Sequence, residues 1–168
     1  MKELIISNGS IVLVDDDVYE WASKHSWYPD KDGYACRTIR VSKGKTTAVR
    51  LHRLIVGASV GEQVDHEDLN VANCLRTNLR LCTHSDNKRN TPKYKTMNGN
   101  STTSKYKGVS FDRRPHMSHK PWYAYINHDC KMINLGHYAS EEEAALVYNQ
   151  AALSLFGKFS RLNDARLP

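Results

Sequence analysis

The sequence has few cysteines and no long apolar run, and both features limit the kinds of protein that it can be. Its four cysteines are scattered and none forms a CxxC pair, so we expect buried apolar cysteines and neither a cysteine-rich zinc site nor a disulfide framework. No apolar stretch is long enough to span a membrane, and the N-terminus lacks a signal-peptide pattern. These absences predict a protein of a reducing cytoplasm that does not bind a membrane.

The positive charge of the chain is concentrated in one segment. The net charge is +6 over 168 residues, and residues 86–120 carry nine Lys or Arg against two Asp. A local basic band suits a phosphate backbone better than an evenly spread surplus does. A solvated basic surface is the alternative reading of the same charges.

The N-terminal part has the signals of short strands separated by turns. Asn8-Gly9 between two apolar runs predicts a hairpin, and Asp15–Asp17 followed by Val18 and Trp21 predicts a helix start. Residues 33–37 and 46–51 read as two further strands joined by a turn over 42–45.

Residues 61–91 predict two short strands, an Asn-rich loop and a helix near 84–90, with Asp65-His66 at the end of the first strand. Residues 92–104 are rich in Pro, Gly, Asn, Ser and Thr, which is typical of an extended linker. We therefore expect a first domain over residues 1–91 and a linker over residues 92–104.

Residues 105–168 predict a second domain with a different pattern. Strands are expected over 106–111, 122–126 and 131–138, and Ser140 with Glu143 forms a capping box for a helix ending near Gly157. The predicted fold class is α+β, with a three-stranded antiparallel sheet packed on one helix in this domain.

The pattern that points most directly to a catalytic function is Asp65-His66 followed by Asn78 and Asn87. Asp65 and Asn87 offer hard oxygen ligands, and an imidazole can take a proton from water near neutral pH. Taken without their flanks, these residues are better explained as a turn with asparagine loop caps.

The flanking residues change that balance. With Leu51–Ile55 before it, Arg76–Arg80 within it and Thr83–Asn87 at its end, the pattern resembles the HNH nucleases, in particular phage homing endonucleases whose third motif residue is Asn. The resemblance implies a ββα-metal fold and one divalent ion, Mg²⁺ or Mn²⁺, held by Asp65 and Asn87. It also implies a catalytic pair in which His66 is the general base and Asn78 holds the loop and the His66 ring.

A second resemblance covers roughly residues 105–163. Tyr-Lys-Gly-Val, Trp-Tyr-Ala-Tyr-Ile, Leu-Gly-His-Tyr and Glu-Glu-Ala-Ala-Leu-Val-Tyr-Asn-Gln-Ala-Ala resemble an AP2 DNA-binding domain. Sheet positions that are Arg or Trp in plant AP2 factors correspond here to Ser110, Tyr125, Asn127, Met132 and Asn134. The resemblance therefore supports the fold more firmly than individual base contacts.

Several basic residues lie where they could follow a DNA backbone, although solvated strand edges explain the N-terminal ones equally well. The predicted DNA-binding residues are Arg37, Arg40, Lys43, Lys45, Arg50, Arg53, Lys93, Lys95, Lys107, Arg113, Arg114 and Lys131. For Arg53, a structural role is an equally good reading.

Together these features predict a site-specific homing endonuclease acting on double-stranded DNA in the cytoplasm of a phage-infected bacterium. No heptad pattern indicates a dimer, so a monomer that nicks one strand is expected. The alternative is a non-catalytic AP2-type DNA-binding regulator with a degenerate HNH unit.

Overall fold

The computed structural model describes residues 1–93, 96–97 and 100–166, with the backbone alone at 96, 97, 100, 101 and 115. The chain forms two compact units, Met1–Asn87 and Lys88–Pro168. The boundary falls before residue 91, where the first domain was predicted to end. Lys95, predicted to contact DNA, lies outside the described residues.

The first 90 residues contain seven short strands in three antiparallel sheets and three short helices, the last of which continues past the unit boundary at Asn87. In chain order these are β1 (Lys2–Ile5), β2 (Ile11–Val14), α1 (Asp16–Ala22), β3 (Tyr28–Pro29), β4 (Ala35–Ser42), β5 (Lys45–Arg50), α2 (Leu51–Val56), β6 (Gln63–His66), β7 (Leu79–Cys82) and α3 (His84–Asn90). The pairs are β1–β2, β3–β4–β5 and β6–β7.

Local sequence signals explain most of these elements. Gly9 has a φ of 83° in the β1–β2 turn and Gly44 a φ of 76° in the β4–β5 turn, a conformation that glycine adopts at little cost. Asp16 and Asp17 occupy the first turn of α1, where carboxylates interact favourably with the helix dipole. The predicted hairpins and the first helix are therefore confirmed.

One core holds the N-terminal unit together, and it joins the hairpins to the helices. Its fully buried members include Val14, Val18, Leu51 and Cys74. Because Leu51 begins α2 and Cys74 lies in the Asn-rich loop, the core fixes both the helix before β6 and the loop that joins β6 to β7.

The C-terminal unit contains the predicted three strands and one long helix. They are β10 (Val109–Phe111), β11 (Trp122–His128), β12 (Lys131–Tyr138) and α4 (Glu141–Phe156), preceded by the two-residue strands β8 (Thr96–Met97) and β9 (Asn100–Ser101). The sheet order β10–β11–β12 is antiparallel throughout. Ser140 and Glu143 form the predicted capping box at the start of α4.

The helix α4 packs on one face of this sheet through small and aromatic side chains. Ala144, Ala145 and Ala152 are fully buried, as are Val109 and Ala124 of the sheet. Alanine at the contact lets the helix lie close to the strands, which leaves the other sheet face uncovered by α4.

Residues 92–104 were predicted to form an extended linker, but their described part is not extended away from the protein. It packs on the C-terminal unit: Lys93 Nζ donates to the carbonyl of Val109 at 2.9 Å, and Ser104 is buried and donates to Glu141 at 2.6 Å. The strands β8 and β9 pair with each other within it. Polar composition alone suggested a linker because these partners are distant in sequence.

No helix among the described residues is long and apolar enough to cross a membrane. Cys36 and Cys74 are buried as expected, whereas Cys82 is half-buried and Cys130 is exposed.

Candidate active site

The β6–β7 hairpin carries the two central residues of the predicted site. Asp65 pairs with Arg80 and His66 with Leu79 in the antiparallel register. Since successive side chains of a strand point to opposite faces, Asp65 and His66 leave β6 on opposite sides. Gln63 and Asp65 share one face, and His66 shares the other with Val64.

Asp65 is buried against a guanidinium. Only 3% of its surface is exposed, and its Oδ2 accepts from Arg80 Nε at 2.8 Å and lies 2.7 Å from Arg80 Nη2. A buried carboxylate needs such a partner because burial removes its hydration. The proposed ligand is thus oriented by the strand opposite it.

His66 packs among two aromatic rings and a thiol. Its ring centroid lies 5.7 Å from that of Tyr34 and 5.0 Å from that of His52, and Cys74 Sγ lies 3.9 Å from its Nε2. Burial lowers the pKa of His66 below its usual value of 6.5, against the opposing effect of Asp68 and Asp65. The imidazole is therefore neutral at pH 7, the form a general base requires.

The neighbours of His66 are also neutral at that pH. Burial, with His66 as the next cause, lowers the pKa of His52 to about 3, and burial raises the pKa of Cys74 to about 12. Cys74 is therefore an un-ionised thiol and a poor nucleophile near neutrality, and His52, with so low a pKa, is a weak base.

Asn87 lies on α3 and is held by the strand that carries Asp65. Its Nδ2 donates to Gln63 Oε1 at 3.0 Å, so its amide oxygen is the atom that can serve as a ligand. Because Gln63 and Asp65 share a face of β6, Asn87 is held on the side of the hairpin that Asp65 occupies.

A cavity of about 530 Å³ opens beside these residues. Its lining includes Gln63 and Asn87 on one hand and Tyr34 and His52, the ring neighbours of His66, on the other. Asp65 and His66 lie behind this wall, each at most 4% exposed. Of the predicted residues Asp65, His66 and Asn87, the structure places only Asn87 in the wall of the cavity.

Asn78 fixes the loop that follows His66. Its Oδ1 accepts from the backbone N–H of Asp68 at 3.0 Å, and its Nδ2 donates to Asp68 Oδ1 and to the carbonyl of Asn73. Asp68 also accepts from Asn73 Nδ2. Three hydrogen bonds from one buried side chain hold a loop that has neither helix nor strand.

The donor set fits a hard divalent ion. Asp65 and Asn87 supply oxygen, and Mg²⁺ is commonly held by one or two protein oxygen ligands together with water and substrate phosphate. Cys82 lies opposite Gln63, but burial raises the pKa of its thiol, which disfavours a thiolate ligand. Among the described residues no group of three His, Cys, Asp or Glu could hold a metal, so the ion would depend on water and phosphate for its remaining ligands.

The predicted DNA-contacting cations separate into exposed and engaged groups. Five have exposed side chains at positions open to an anionic partner, namely Arg40, Lys43, Lys45, Arg113 and Lys131. Arg37 is half-buried, with its guanidinium 5.5 Å above the Trp27 ring.

Arg50 and Arg53 line the cavity but already have partners. Arg50 lies 2.6 Å from Asp30 and 3.3 Å from Asp32 and 4.4 Å above the Tyr34 ring. Arg53 donates to the carbonyls of Glu62 and Ser59, both at 2.7 Å. Arg53 therefore closes the loop before β6, which agrees with the structural reading, and its contact with phosphate stays a prediction.

Two lysines that were predicted to contact DNA, Lys107 and Lys93, already have hydrogen-bond partners within the protein. Lys107 Nζ donates to the carbonyls of Arg89 and Thr91 at 2.6 and 2.7 Å, and burial lowers its pKa to about 8. Lys93 Nζ is bound by Val109 as described above. These ammonium groups satisfy carbonyls near the end of α3 and in β10, which the sequence could not reveal because their partners are brought there by folding. Arg114 forms an ion pair with Asp112.

Sequence reasoning missed four residues around the site: Tyr34, His52, Gln63 and Arg80. Arg80 had an available signal, because a hairpin with a known start places it directly opposite Asp65. Tyr34 and His52 had none, since they come from distant segments and reach His66 only through the core.

No family model matches the chain. An uncharacterized HNH endonuclease of Acanthamoeba polyphaga mimivirus is 32% identical over 161 residues, covering 92% of this chain and 75% of that protein. A solved structure described as "DNA binding and cleavage by the HNH homing endonuclease I-HmuI" has 30% identity and a TM-score of 0.33 and covers 51% of this chain. The match spans 44% of that chain, less than half its length. On the extent and identity of the viral relative, this chain belongs to the HNH endonuclease family.

Proposed function

We propose that this protein is a site-specific DNA endonuclease that hydrolyses a phosphodiester bond with one divalent ion, Mg²⁺ or Mn²⁺. One observation carries the proposal: in a member of the HNH family, β6 holds a buried carboxylate and a neutral imidazole beside a cavity whose wall includes the amide of Asn87 on α3. These are the ligand and base types that metal-assisted hydrolysis needs.

Asp65 and Asn87 are the proposed ligands, and the ion, when bound, supplies positive charge that stabilises the leaving oxygen. His66 takes a proton from the attacking water. Because burial keeps its pKa below 6.5, the base form persists from neutral to alkaline pH. Asn78 holds the loop after His66 and so fixes where the imidazole lies.

The alternative is a DNA-binding regulator without catalysis. The burial of Asp65 and His66 is the observation that favours it, because a base must come within about 3 Å of its water. Catalysis requires DNA binding to open the wall of Tyr34 and His52, or a water to reach the imidazole past it.

Incubation with a supercoiled plasmid bearing the target site and Mg²⁺ distinguishes the two functions. One HNH unit offers one base, so a monomer should convert supercoiled DNA to open circle, which then accumulates. EDTA should abolish the conversion. Binding without any nicking supports the regulator, and prompt linear product at low enzyme concentration contradicts the nicking monomer while leaving the nuclease intact.

DNA binding by the N-terminal unit is proposed for the β4–β5 ribbon. Residues 33–61 contain six Lys or Arg and no Asp or Glu, and the outer half of the ribbon is exposed. A two-stranded ribbon fits the major groove of B-DNA. Arg40, Lys43 and Lys45 at its outer end are therefore the proposed phosphate contacts.

Changing Arg40, Lys43 and Lys45 together to glutamine should weaken DNA binding and flatten its salt dependence. If all three neutralise phosphates, the slope of log K against log salt should decrease in magnitude by about 2.7, or 0.9 per contact. The measurement is a binding titration from 50 to 300 mM KCl. The matched control changes the exposed Lys2, Lys24 and Lys31 of the same unit, and equal slopes for the two variants would contradict the ribbon assignment.

For the C-terminal unit we propose an AP2-like DNA-binding role. Its three-stranded sheet packs on α4, and the rings of Tyr123, Tyr125 and His137 lie together, with centroids 5.6 and 5.7 Å apart. Arg113 and Lys131 are exposed in the same unit. This composition, a polar aromatic patch with flanking cations, suits contact with DNA.

A further inference from the structure

The ion pair between Asp65 and Arg80 is buried and is made through two nitrogens of the guanidinium. The Arg80 side chain is 10% exposed, and two of its nitrogens, Nε and Nη2, converge on the same oxygen, Oδ2 of Asp65. Its third nitrogen, Nη1, lies 3.7 Å from a carboxylate oxygen of Glu67. The guanidinium is thus contacted at both ends.

The hairpin makes this arrangement rigid. Asp65 and Arg80 are directly opposed in the β6–β7 register, so their backbones are fixed by the ladder on either side. Two donors of a planar guanidinium that converge on Oδ2 hold that oxygen in place, and with the Asp65 backbone fixed as well they leave the side chain few torsions. The direction of the second oxygen, Oδ1, is thereby restricted.

We propose that Arg80 is a positioning residue that orients Asp65 as a metal ligand. This inference rests on the proposed function, since it needs Asp65 to bind the ion. Outer residues that orient ligands typically contribute 10–100-fold to metal affinity. Arg80 acts through Asp65 and touches neither the DNA nor the reacting atoms.

A plain counter-ion would behave in the opposite way. If Arg80 only balanced the charge of Asp65, it would repel the incoming cation, and removing its charge would tighten metal binding. Orientation predicts that binding weakens both when the charge is removed and when a lysine keeps the charge but loses the planar pair of donors.

The test measures the affinity of the full chain for Mn²⁺ in the absence of DNA. Binding is followed through the relaxation rate of water protons, which increases when Mn²⁺ is bound to the protein. Wild type is compared with Arg80→Lys and Arg80→Met, and Asp65→Asn marks the loss of the site. We expect both Arg80 variants to raise the Mn²⁺ dissociation constant by about tenfold or more. Arg76→Lys is the matched control, because Arg76 pairs with Asp17 at 2.6 Å in the same unit and should bind Mn²⁺ like wild type.

Circular dichroism is used to check that each variant is folded. If Arg80→Met does not fold, the comparison of wild type with Arg80→Lys alone tests the proposal. Unchanged or tighter Mn²⁺ binding by folded Arg80→Lys overturns the positioning role. Wild type and Asp65→Asn that bind Mn²⁺ alike would instead overturn the metal site itself, so the two failures are distinguishable.

Discussion

Replacing His66 with alanine is expected to lower the cleavage rate by about 10²–10⁴-fold, the usual contribution of a general base, while DNA affinity stays nearly unchanged. The imidazole is buried at 4% exposure and contributes little surface to the duplex. The measurement is the single-turnover nicking rate with Mg²⁺, alongside a binding titration of the same variant.

His25→Ala is the control, since His25 is an exposed histidine of the same unit and should cleave at the wild-type rate. The pH profile adds a second check. Because burial lowers the pKa of His66, the midpoint at which the wild-type rate declines in acid should lie below pH 6.5. A His66→Ala enzyme that nicks at the wild-type rate would show that another group is the base.

Replacing Gly108 with alanine should unfold the C-terminal unit or destabilise it by about 3 kcal/mol or more. Gly108 has a φ of 71°, and an added Cβ would overlap the Tyr148 ring and lie 2.6 Å from the carbonyl oxygen of Tyr125. The Tyr148 ring is buried at 4% exposure and has no room to move aside.

Gly157→Ala separates the overlap from backbone strain. Gly157 also has a positive φ, 51°, with a ψ of −126°, but an added Cβ there meets nothing within 4 Å, so only backbone strain of about 1–3 kcal/mol is expected. Hydrogen exchange followed by mass spectrometry should show β10–β12 amides losing protection in Gly108→Ala and largely keeping it in Gly157→Ala. Equal protection in the two variants would mean that the overlap has no consequence.

Elements with strong local signals could be predicted from the sequence. The Asn8-Gly9 turn, the Ser140–Glu143 capping box and the placement of Asp65-His66 at a strand end are all confirmed, because each depends on residues a few positions apart. The helix α2 was missed. Its six residues, Leu51–Val56, are too few to display a helical period, and only Gly57 with its φ of 64° marked its end.

The site was predictable in its residue types but not in its burial. Asp65, His66 and Asn87 were identified because their pattern and its flanking residues resemble the HNH motif, and their roles stay predictions. That Tyr34 and His52 cover His66 depends on how β4, α2 and β6 pack, which no local pattern encodes. The same reason explains the lysines: Lys107 and exposed Lys131 look alike in sequence, and only the tertiary fold gives one of them carbonyl partners.

The described part of the tail after α4, residues 157–166, contains one short 3₁₀ turn and no strand, and Asn163 fastens it to the rest of the unit. The Asn163 side chain accepts from the N–H of Lys107 and donates to its carbonyl, while its backbone exchanges two hydrogen bonds with the Asn149 side chain. The Asn163 side chain thus binds the backbone N–H and carbonyl of Lys107 as a neighbouring strand would. Replacing Asn163 would leave the N–H and the carbonyl of Lys107 without these two partners, and a shift of its spacing from α4 would also break both hydrogen bonds to Asn149.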